Sequence, residues 1–134
     1  MARVVWPLRR DQPCVEVVLS FAAGQEVVRH LLADTGAATA RAGFELILAE
    51  SDCLQAGARP AQSVSLSGAY VGSYRVYVLH VRIPNLGFGQ SVRSVGVPSV
   101  PPGFGGLAAF RFLNRFSYGN FGDPGQFGLE DYTD

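Results

Sequence analysis

The chain has 134 residues, 48% apolar and 16% charged, so one globular domain with a packed core is expected rather than disorder. Eleven arginines, no lysine and eleven acids leave no net charge, and the arginines are scattered, which argues against a nucleic-acid partner. No apolar run approaches the roughly 18 residues of a membrane span, and residues 1–20 lack a signal-peptide core. We therefore expect no membrane partner, and a cytoplasmic chain or a soluble fragment of a longer one.

Short apolar segments in the first half alternate with glycine-containing turns, which is typical of β-strands. Residues 14–21 (CVEVVLSF) and 27–34 (VVRHLLAD), separated by AAGQE, predict a β-hairpin. Residues 45–50 (ELILAE) form a third apolar run. Ser51 then stands where it would cap a single helical turn that Gly57 ends.

The longest β-like stretch is residues 62–83, which Gly68 and Gly72 interrupt. Apolar residues on either side of these glycines alternate with polar or aromatic ones, so the stretch predicts a long hairpin with a mobile glycine tip. Residues 90–97 (QSVRSVGV) predict a further strand.

Residues 107–116 (LAAFRFLNRF) differ from the preceding segments, because their apolar side chains recur every three or four positions, as on a helix. The tail at 117–134 is rich in glycine and aromatics, and its QFGLE predicts a terminal strand. Many short strands, one short C-terminal helix and no βαβ alternation predict an all-β fold of mostly antiparallel strands, either a closed barrel or a sandwich.

An Asp-Thr-Gly triplet at residues 34–36 follows directly on the apolar strand and precedes the small residues Ala37 and Ala38. The triplet alone is weak evidence, since a chain of this length contains it by chance about 3% of the time. A turn after a strand would use the same residues, with the aspartate accepting backbone hydrogen bonds and the glycine adopting positive φ. An aspartate that serves only a turn gains nothing from a buried approach, so the context favours a functional role.

The segment HLLADTGAAT resembles the active-site strand and loop of the retropepsin-like aspartic proteases, and the resemblance covers roughly residues 14–116. The hairpin at 62–83 lies where that family has its flap. VGVPSVPPGFGGLAAFRFL (95–113) is similar to the family's closing segment, in which an apolar pair and a glycine precede the C-terminal helix. The family usually has glycine where this chain has Ala109, and alanine fits there if φ is negative. The residues from Phe110 onward differ from the retroviral versions, which favours a cellular branch.

The resemblance implies a closed acid-protease barrel in one domain (1–134, core about 14–116, tail 117–134) and an aspartyl protease activity. Such a hydrolase needs no metal and no cofactor. Two carboxylates that share one proton activate a water molecule and polarise the carbonyl of a peptide or protein substrate. This chain has one triplet and no internal repeat, so a two-fold homodimer that places Asp34 beside its symmetry mate is the economical solution.

The site residues implied by the resemblance lie in the loop, the flap and the closing segment. The catalytic residues are Asp34, Thr35 and Gly36. The substrate-binding residues are Ala37, Ala38, Ser67, Gly68, Ala69, Tyr70, Leu107 and Ala108.

Two alternatives remain open at this stage. The chain is a binding or dimerisation module that keeps the protease fold with weak or no activity, or it is an unrelated β-barrel whose triplet forms a turn. The partial glycine patterns GFGQSV and GFGGL lack phosphate-loop spacing, so they do not indicate a nucleotide-binding site.

The cysteines and histidines do not suggest a metal site. Cys14, Cys53, His30 and His80 show no metal-ligand spacing. We interpret the cysteines as small core residues and His30 as structural. Trp6-Pro7 and the tail are expected either to pack in a dimer interface or to be loosely ordered ends.

Overall fold

The computed structural model describes residues 2–132. Within them the chain forms ten β-strands, two short α-helices and two single 3-10 turns. The strands are β1 (Arg3–Pro7), β2 (Cys14–Ser20), β3 (Glu26–Ala33), β4 (Leu46–Ala49), β5 (Pro60–Leu66), β6 (Gly72–Ile83), β7 (Phe88–Val97), β8 (Gly106–Ala108), β9 (Ser117–Gly119) and β10 (Gln126–Glu130). The helices are α1 (Glu50–Gln55) and α2 (Phe110–Leu113), and the 3-10 turns are Gly68–Tyr70 and Pro84–Leu86. None of the helices in this part of the chain is long and apolar enough to cross a membrane.

Six of the strands close into a barrel. Their order around the ring is β2-β3-β8-β4-β7-β6, and β6 pairs back onto β2 through Val18 with Arg82 and Leu19 with Val81. The strand β5 pairs with β6 alone, so β5 and β6 form a hairpin of which only β6 belongs to the ring. The prediction of a mostly β fold with a closed barrel is therefore confirmed.

Four of the six pairings in the ring are antiparallel, as the prediction of mostly antiparallel strands requires, and the other two are parallel, so the barrel is not wholly antiparallel. The strand β3 runs parallel to β8, and β4 runs parallel to β7. Parallel neighbours need a long connection, and residues 34–105 and 50–87 provide the two that are required here. Alternation and turn residues in the sequence predict hairpins between neighbouring strands, and they carry no signal for pairings between strands this far apart in the chain.

The predicted helix at 107–116 is shorter in the structure. Gly106–Ala108 forms β8, which inserts between β3 and β4, and α2 covers only Phe110–Leu113. Two sheet partners outweigh the helical spacing of the first residues of this segment. The short helix predicted after β4 is present as α1. Its N-cap is Ala49, which makes no side-chain hydrogen bond, so the prediction that Ser51 is the cap is wrong.

The two ends of the described chain pair with each other. The strands β1, β10 and β9 form a three-stranded antiparallel sheet in the order β1-β10-β9. Val4, Phe127 and Leu129 from this sheet belong to the same buried cluster as the barrel interior. The predicted terminal strand QFGLE is confirmed, and the alternative of loosely ordered ends is wrong for residues 3–7 and 126–130.

The core has two parts, and β4 contributes to both. Leu46 and Leu48 point into the large cluster inside the barrel, and Ile47 belongs to a smaller cluster beneath the β5–β6 hairpin. Burial on both faces explains why this strand is a continuous apolar run. The cysteines are buried and free, as predicted, and burial raises the pKa of Cys14 to about 11 and that of Cys53 to about 12.

Candidate functional site

Asp34 lies directly after β3, where the chain leaves the barrel wall. Its backbone N–H donates to the Ala108 carbonyl at 3.0 Å, and its Oδ1 accepts a hydrogen bond from the Gly36 N–H at 3.0 Å. The Ala37 N–H donates to the Asp34 carbonyl at 3.1 Å. The acid is only partly buried, and these hydrogen bonds offset much of the cost of placing it at the end of an apolar strand.

A cavity of about 500 Å³ opens at the Asp34 side chain. Its remaining lining is apolar or hydroxyl-bearing, so Asp34 is the one carboxylate among the residues of 2–132 that line it. The lining residues are Asp34, Gly36, Ala37, Ala38, Phe44, Ile47, Ser65, Leu66, Ser67, Gly68, Ala69, Tyr70 and Leu107. Small and apolar walls of this kind suit an extended chain with uncharged side chains.

The tip of the β5–β6 hairpin forms one side of the cavity. Gly68 and Gly72 have φ of 75° and 139°, so they let the chain reverse through the Gly68–Tyr70 turn. The Tyr74 hydroxyl donates to the Val71 carbonyl at 3.1 Å within the tip. Tyr70 packs on the smaller core cluster, and the loss of solvent there raises the pKa of its phenol.

Most of the predicted site residues meet at this cavity, and two do not line it. Thr35 is exposed beside it, and its hydroxyl has no hydrogen-bond partner within residues 2–132. Ala108 is buried and holds Asp34 through its carbonyl instead. The other nine are Asp34, Gly36, Ala37, Ala38, Ser67, Gly68, Ala69, Tyr70 and Leu107.

Four lining residues were missed from the sequence: Phe44, Ile47, Ser65 and Leu66. The sequence contained a signal for Ile47, because a strand that is apolar at every position is expected to have both of its faces buried. Ser65 and Leu66 immediately precede the predicted tip and could have been included by extending it. Phe44 lies in irregular chain before β4, and nothing in the sequence pattern marks it.

Asp34 differs electrostatically from the two fully buried acids. Glu45 forms a bidentate pair with Arg115, and Asp52 forms one with Arg29. These carboxylate hydrogen bonds raise the pKa of both guanidinium groups. Asp34, by contrast, forms no ion pair with any residue of the described range, so its charge is not committed to holding the fold.

A second Asp-x-Gly turn in the chain has the same hydrogen bond as the turn at Asp34 but lies away from the cavity. Asp123 Oδ1 accepts a hydrogen bond from the Gly125 N–H at 2.9 Å, the same two-residue closure that Asp34 makes with Gly36. Asp123 is exposed in the loop before β10 and lines neither the cavity at Asp34 nor the smaller one near Trp6. The turn therefore does not by itself require the apolar cleft in which Asp34 lies.

Ala109 takes the position at which the resembled family usually has glycine. Its φ is −81° and its ψ is 170°, so the extended conformation that it adopts is open to alanine. Its side chain is buried in the smaller core cluster. The methyl group therefore does not distort the segment that follows β8.

No family model, curated protein or solved structure matches the chain. The chemistry of the site follows from its geometry alone. One carboxylate with backbone donors, set in a largely apolar cleft, can bind and deprotonate a water molecule. A second acid at the same point would polarise a carbonyl, and residues 2–132 of one chain place no carboxylate other than Asp34 in the cleft.

The other titratable residues include one pair beside a second cavity and, within the described range, no metal-binding cluster. His30 Nε2 lies 3.2 Å from Glu16 Oε2, beside a smaller cavity of about 150 Å³ next to Trp6 and Arg9. Between residues 2 and 132, no group of three or more histidines, cysteines or acids is arranged to hold a metal ion.

Proposed function

We propose that the chain is an aspartic endopeptidase that hydrolyses peptide bonds as a homodimer, with one Asp34 from each subunit. The observation that carries the proposal is the location of Asp34. Among residues 2–132, it is the one carboxylate that lines a cleft of about 500 Å³, which the β5–β6 hairpin borders. The resemblance of HLLADTGAAT to the retropepsin-like proteases supports the same assignment.

The proposed reaction uses the two carboxylates in different protonation states. Two carboxyl groups within hydrogen-bonding distance do not both ionise, because their negative charges would repel each other, so the pair holds one proton. The ionised Asp34 takes a proton from water, whose oxygen attacks the peptide carbonyl carbon. The protonated Asp34 donates its proton to the carbonyl oxygen. Collapse of the tetrahedral intermediate breaks the C–N bond as a proton passes to the nitrogen, leaving a free acid and amine.

The dimer is proposed because the proposed reaction needs two carboxylates and residues 2–132 of one chain place one in the cleft. Glu45 and Asp52 are committed to arginines, and neither lines the cleft. A two-fold axis near Asp34 would bring its copy to the same place, since an isologous interface sets residues near the axis against themselves. The exposed Thr35 hydroxyl would then be free to hydrogen-bond across the axis.

The test is cleavage of a peptide library from acidic to neutral pH, with and without a statine-type inhibitor. We expect wild type to cleave, to be inhibited and to show a bell-shaped pH profile, because one group must be ionised and one protonated. Asp34→Asn should abolish cleavage. Asp123→Asn is the matched control, because it makes the same change in the same kind of turn outside the cleft, and it should leave cleavage unchanged.

Two outcomes would contradict the proposal. Cleavage retained by purified Asp34→Asn would remove the aspartic mechanism. A dimeric wild type that binds peptides at the cleft without cutting them at any pH would support the alternative, a binding module with the same fold.

A further inference from the structure

The chain between Asp34 and β4 has no regular secondary structure, yet arginines from outside it tether its end. Arg111 Nη1 donates to the Ala42 carbonyl at 2.5 Å, and Arg93 Nε donates to the Gly43 carbonyl at 3.1 Å. Glu45, the last residue before β4, receives a third arginine. A segment of this kind would otherwise be mobile, because its backbone groups have few partners in secondary structure.

The third tether is an ion pair between the buried Glu45 and the partly exposed Arg115. Arg115 donates to both carboxylate oxygens of Glu45, with Nη2 at 2.8 Å from Oε1, and its Nη1 donates to Gln90 Oε1 at 2.9 Å. Glu45 is only 2% exposed. A buried pair of charges adds little net stability, since desolvation offsets most of the attraction, so stability alone is a weak reason for its presence.

Backbone hydrogen bonds connect this pair to Asp34. The Ala109 N–H donates to the Glu45 carbonyl, and the Phe110 N–H donates to the Ala37 carbonyl, both at 3.0 Å. The adjacent Ala108 carbonyl accepts the Asp34 N–H, also at 3.0 Å. Three consecutive residues therefore hold both ends of the loop that begins at Asp34.

The Glu45–Arg115 ion pair adds a second connection between Glu45 and the segment that contains α2. Arg115 lies two residues beyond α2, and α2 begins directly after Ala109. The side chain of Glu45 is thus fixed to the C-terminal side of the helix, and its carbonyl is fixed to the N-terminal side. A shift of Glu45 would be passed through Ala109 and Ala108 to the backbone of Asp34.

We propose that Glu45 and Arg115 are positioning residues that fix the position and orientation of Asp34 in the cleft. This inference rests on the proposed function for its catalytic consequence, while its structural part concerns the backbone around Asp34. Displacement of a catalytic group by about 1 Å costs roughly 100-fold in rate. Loss of the pair should therefore lower turnover more than substrate binding, because neither residue lines the cleft.

The chain contains a matched control pair. Arg29 donates to both oxygens of the buried Asp52, with Nε at 2.8 Å and Nη2 at 3.1 Å. Asp52 lies on α1, which makes no backbone hydrogen bond to residues 34–45 among the bonds of the described chain. Asp52→Asn removes a similar charge from a similar pair without loosening the loop.

The experiment compares Glu45→Gln and Asp52→Asn in the full chain by two readouts. The first is kcat and KM on a peptide that wild type cleaves. The second is hydrogen exchange of the backbone amides of Asp34, Ala37, Ala109 and Phe110 by NMR, which does not need activity. We expect Glu45→Gln to lower kcat by about 10- to 100-fold with a smaller change in KM, and to speed exchange of these amides at least about 10-fold. Asp52→Asn should change neither.

Each result decides the matter. Unchanged kcat and exchange in Glu45→Gln, or equal changes in Asp52→Asn, would overturn the positioning role. If wild type cleaves no peptide, the proposed function fails, and exchange alone decides whether the pair orders the loop. If Glu45→Gln does not fold, Arg115→Lys keeps the charge but loses the bidentate geometry and takes its place in both readouts.

Discussion

Gly106, the first residue of β8, has the least room for a side chain among the glycines near the site. Its φ is 156°, and a Cβ built there would lie 2.2 Å from the Ile47 carbonyl oxygen. Gly106 is paired on both sides, with Leu31 of β3 and with Leu48 of β4. Gly106→Ala would therefore force β8 away from β4, at the strand whose Ala108 carbonyl holds Asp34.

The size of the effect has two parts. A residue other than glycine in an unfavourable backbone region costs about 1–3 kcal/mol, and overpacking a filled interior costs about 1–3 kcal/mol more. Gly106→Ala should thus lower the free energy of unfolding by about 2–6 kcal/mol, a large part of the stability of a domain this size. Gly24→Ala is the control, because Gly24 has φ of 84° with no atom within 4 Å of its built Cβ, so only about 1–2 kcal/mol should be lost.

The assay is urea unfolding of both variants, followed by circular dichroism and interpreted with a common denaturant slope. Equal losses in Gly106→Ala and Gly24→Ala would refute the reasoning, since they would show that β8 and β4 are not packed as closely as described. A loss above about 2 kcal/mol in Gly24→Ala would also refute it, because a positive φ without a steric contact would then cost more than assumed.

Four further predictions concern buried groups and the hairpin. Because burial raises the pKa of Cys14 to about 11 and of Cys53 to about 12, a thiol reagent at pH 8 should modify only the unfolded chain, and reaction of the native protein would contradict this burial. The unfolded state loses these protons first, near the ordinary value of 9.0, so stability should fall as pH rises from about 9 to 12. Tyr77→Phe removes the 2.7 Å hydrogen bond to Glu50 and should cost about 1.5–3 kcal/mol in urea unfolding, whereas no change would mean that the bond contributes nothing. Residues 66–74 should exchange amide hydrogens fastest among the strands and their turns and become protected by a statine-type inhibitor; equal protection in both states would remove the lid role of the hairpin.

Local patterns in the sequence were enough to predict the elements that depend on neighbours in the chain. The hairpin of β2 and β3, the β5–β6 hairpin with its glycine tip, and the terminal strand β10 follow from alternation and turn residues. The cavity residues in the Asp34 loop and the hairpin tip were predicted from the resemblance of HLLADTGAAT and the glycine-tipped hairpin to the retropepsin-like proteases, and nine of the eleven predicted residues line the cavity.

Elements that depend on distant partners could not be found in this way. The strand β8 has the spacing of a helix, and it is a strand because β3 and β4 hold it on both sides. The Glu45–Arg115 pair joins residues 70 positions apart, so no local pattern shows that this acid is buried and paired. The apolar run of β4 indicates that Ile47 is buried, but the pairing of β4 with β7 sets which face of the strand is presented to the cleft. Phe44 lies in irregular chain before β4, and no local pattern marks it as a lining residue.

The central claim, that each active site uses one Asp34 from each of two chains, is tested most directly by mixing. Wild type is combined with a nine-fold excess of Asp34→Asn under conditions where subunits exchange, and cleavage is measured per wild-type chain. Random pairing leaves about one tenth of the wild-type chains with a wild-type partner, so activity should fall roughly ten-fold. The same excess of Asp123→Asn should leave it unchanged, because that variant keeps its Asp34. Activity per wild-type chain that does not respond to an excess of Asp34→Asn would contradict the shared site.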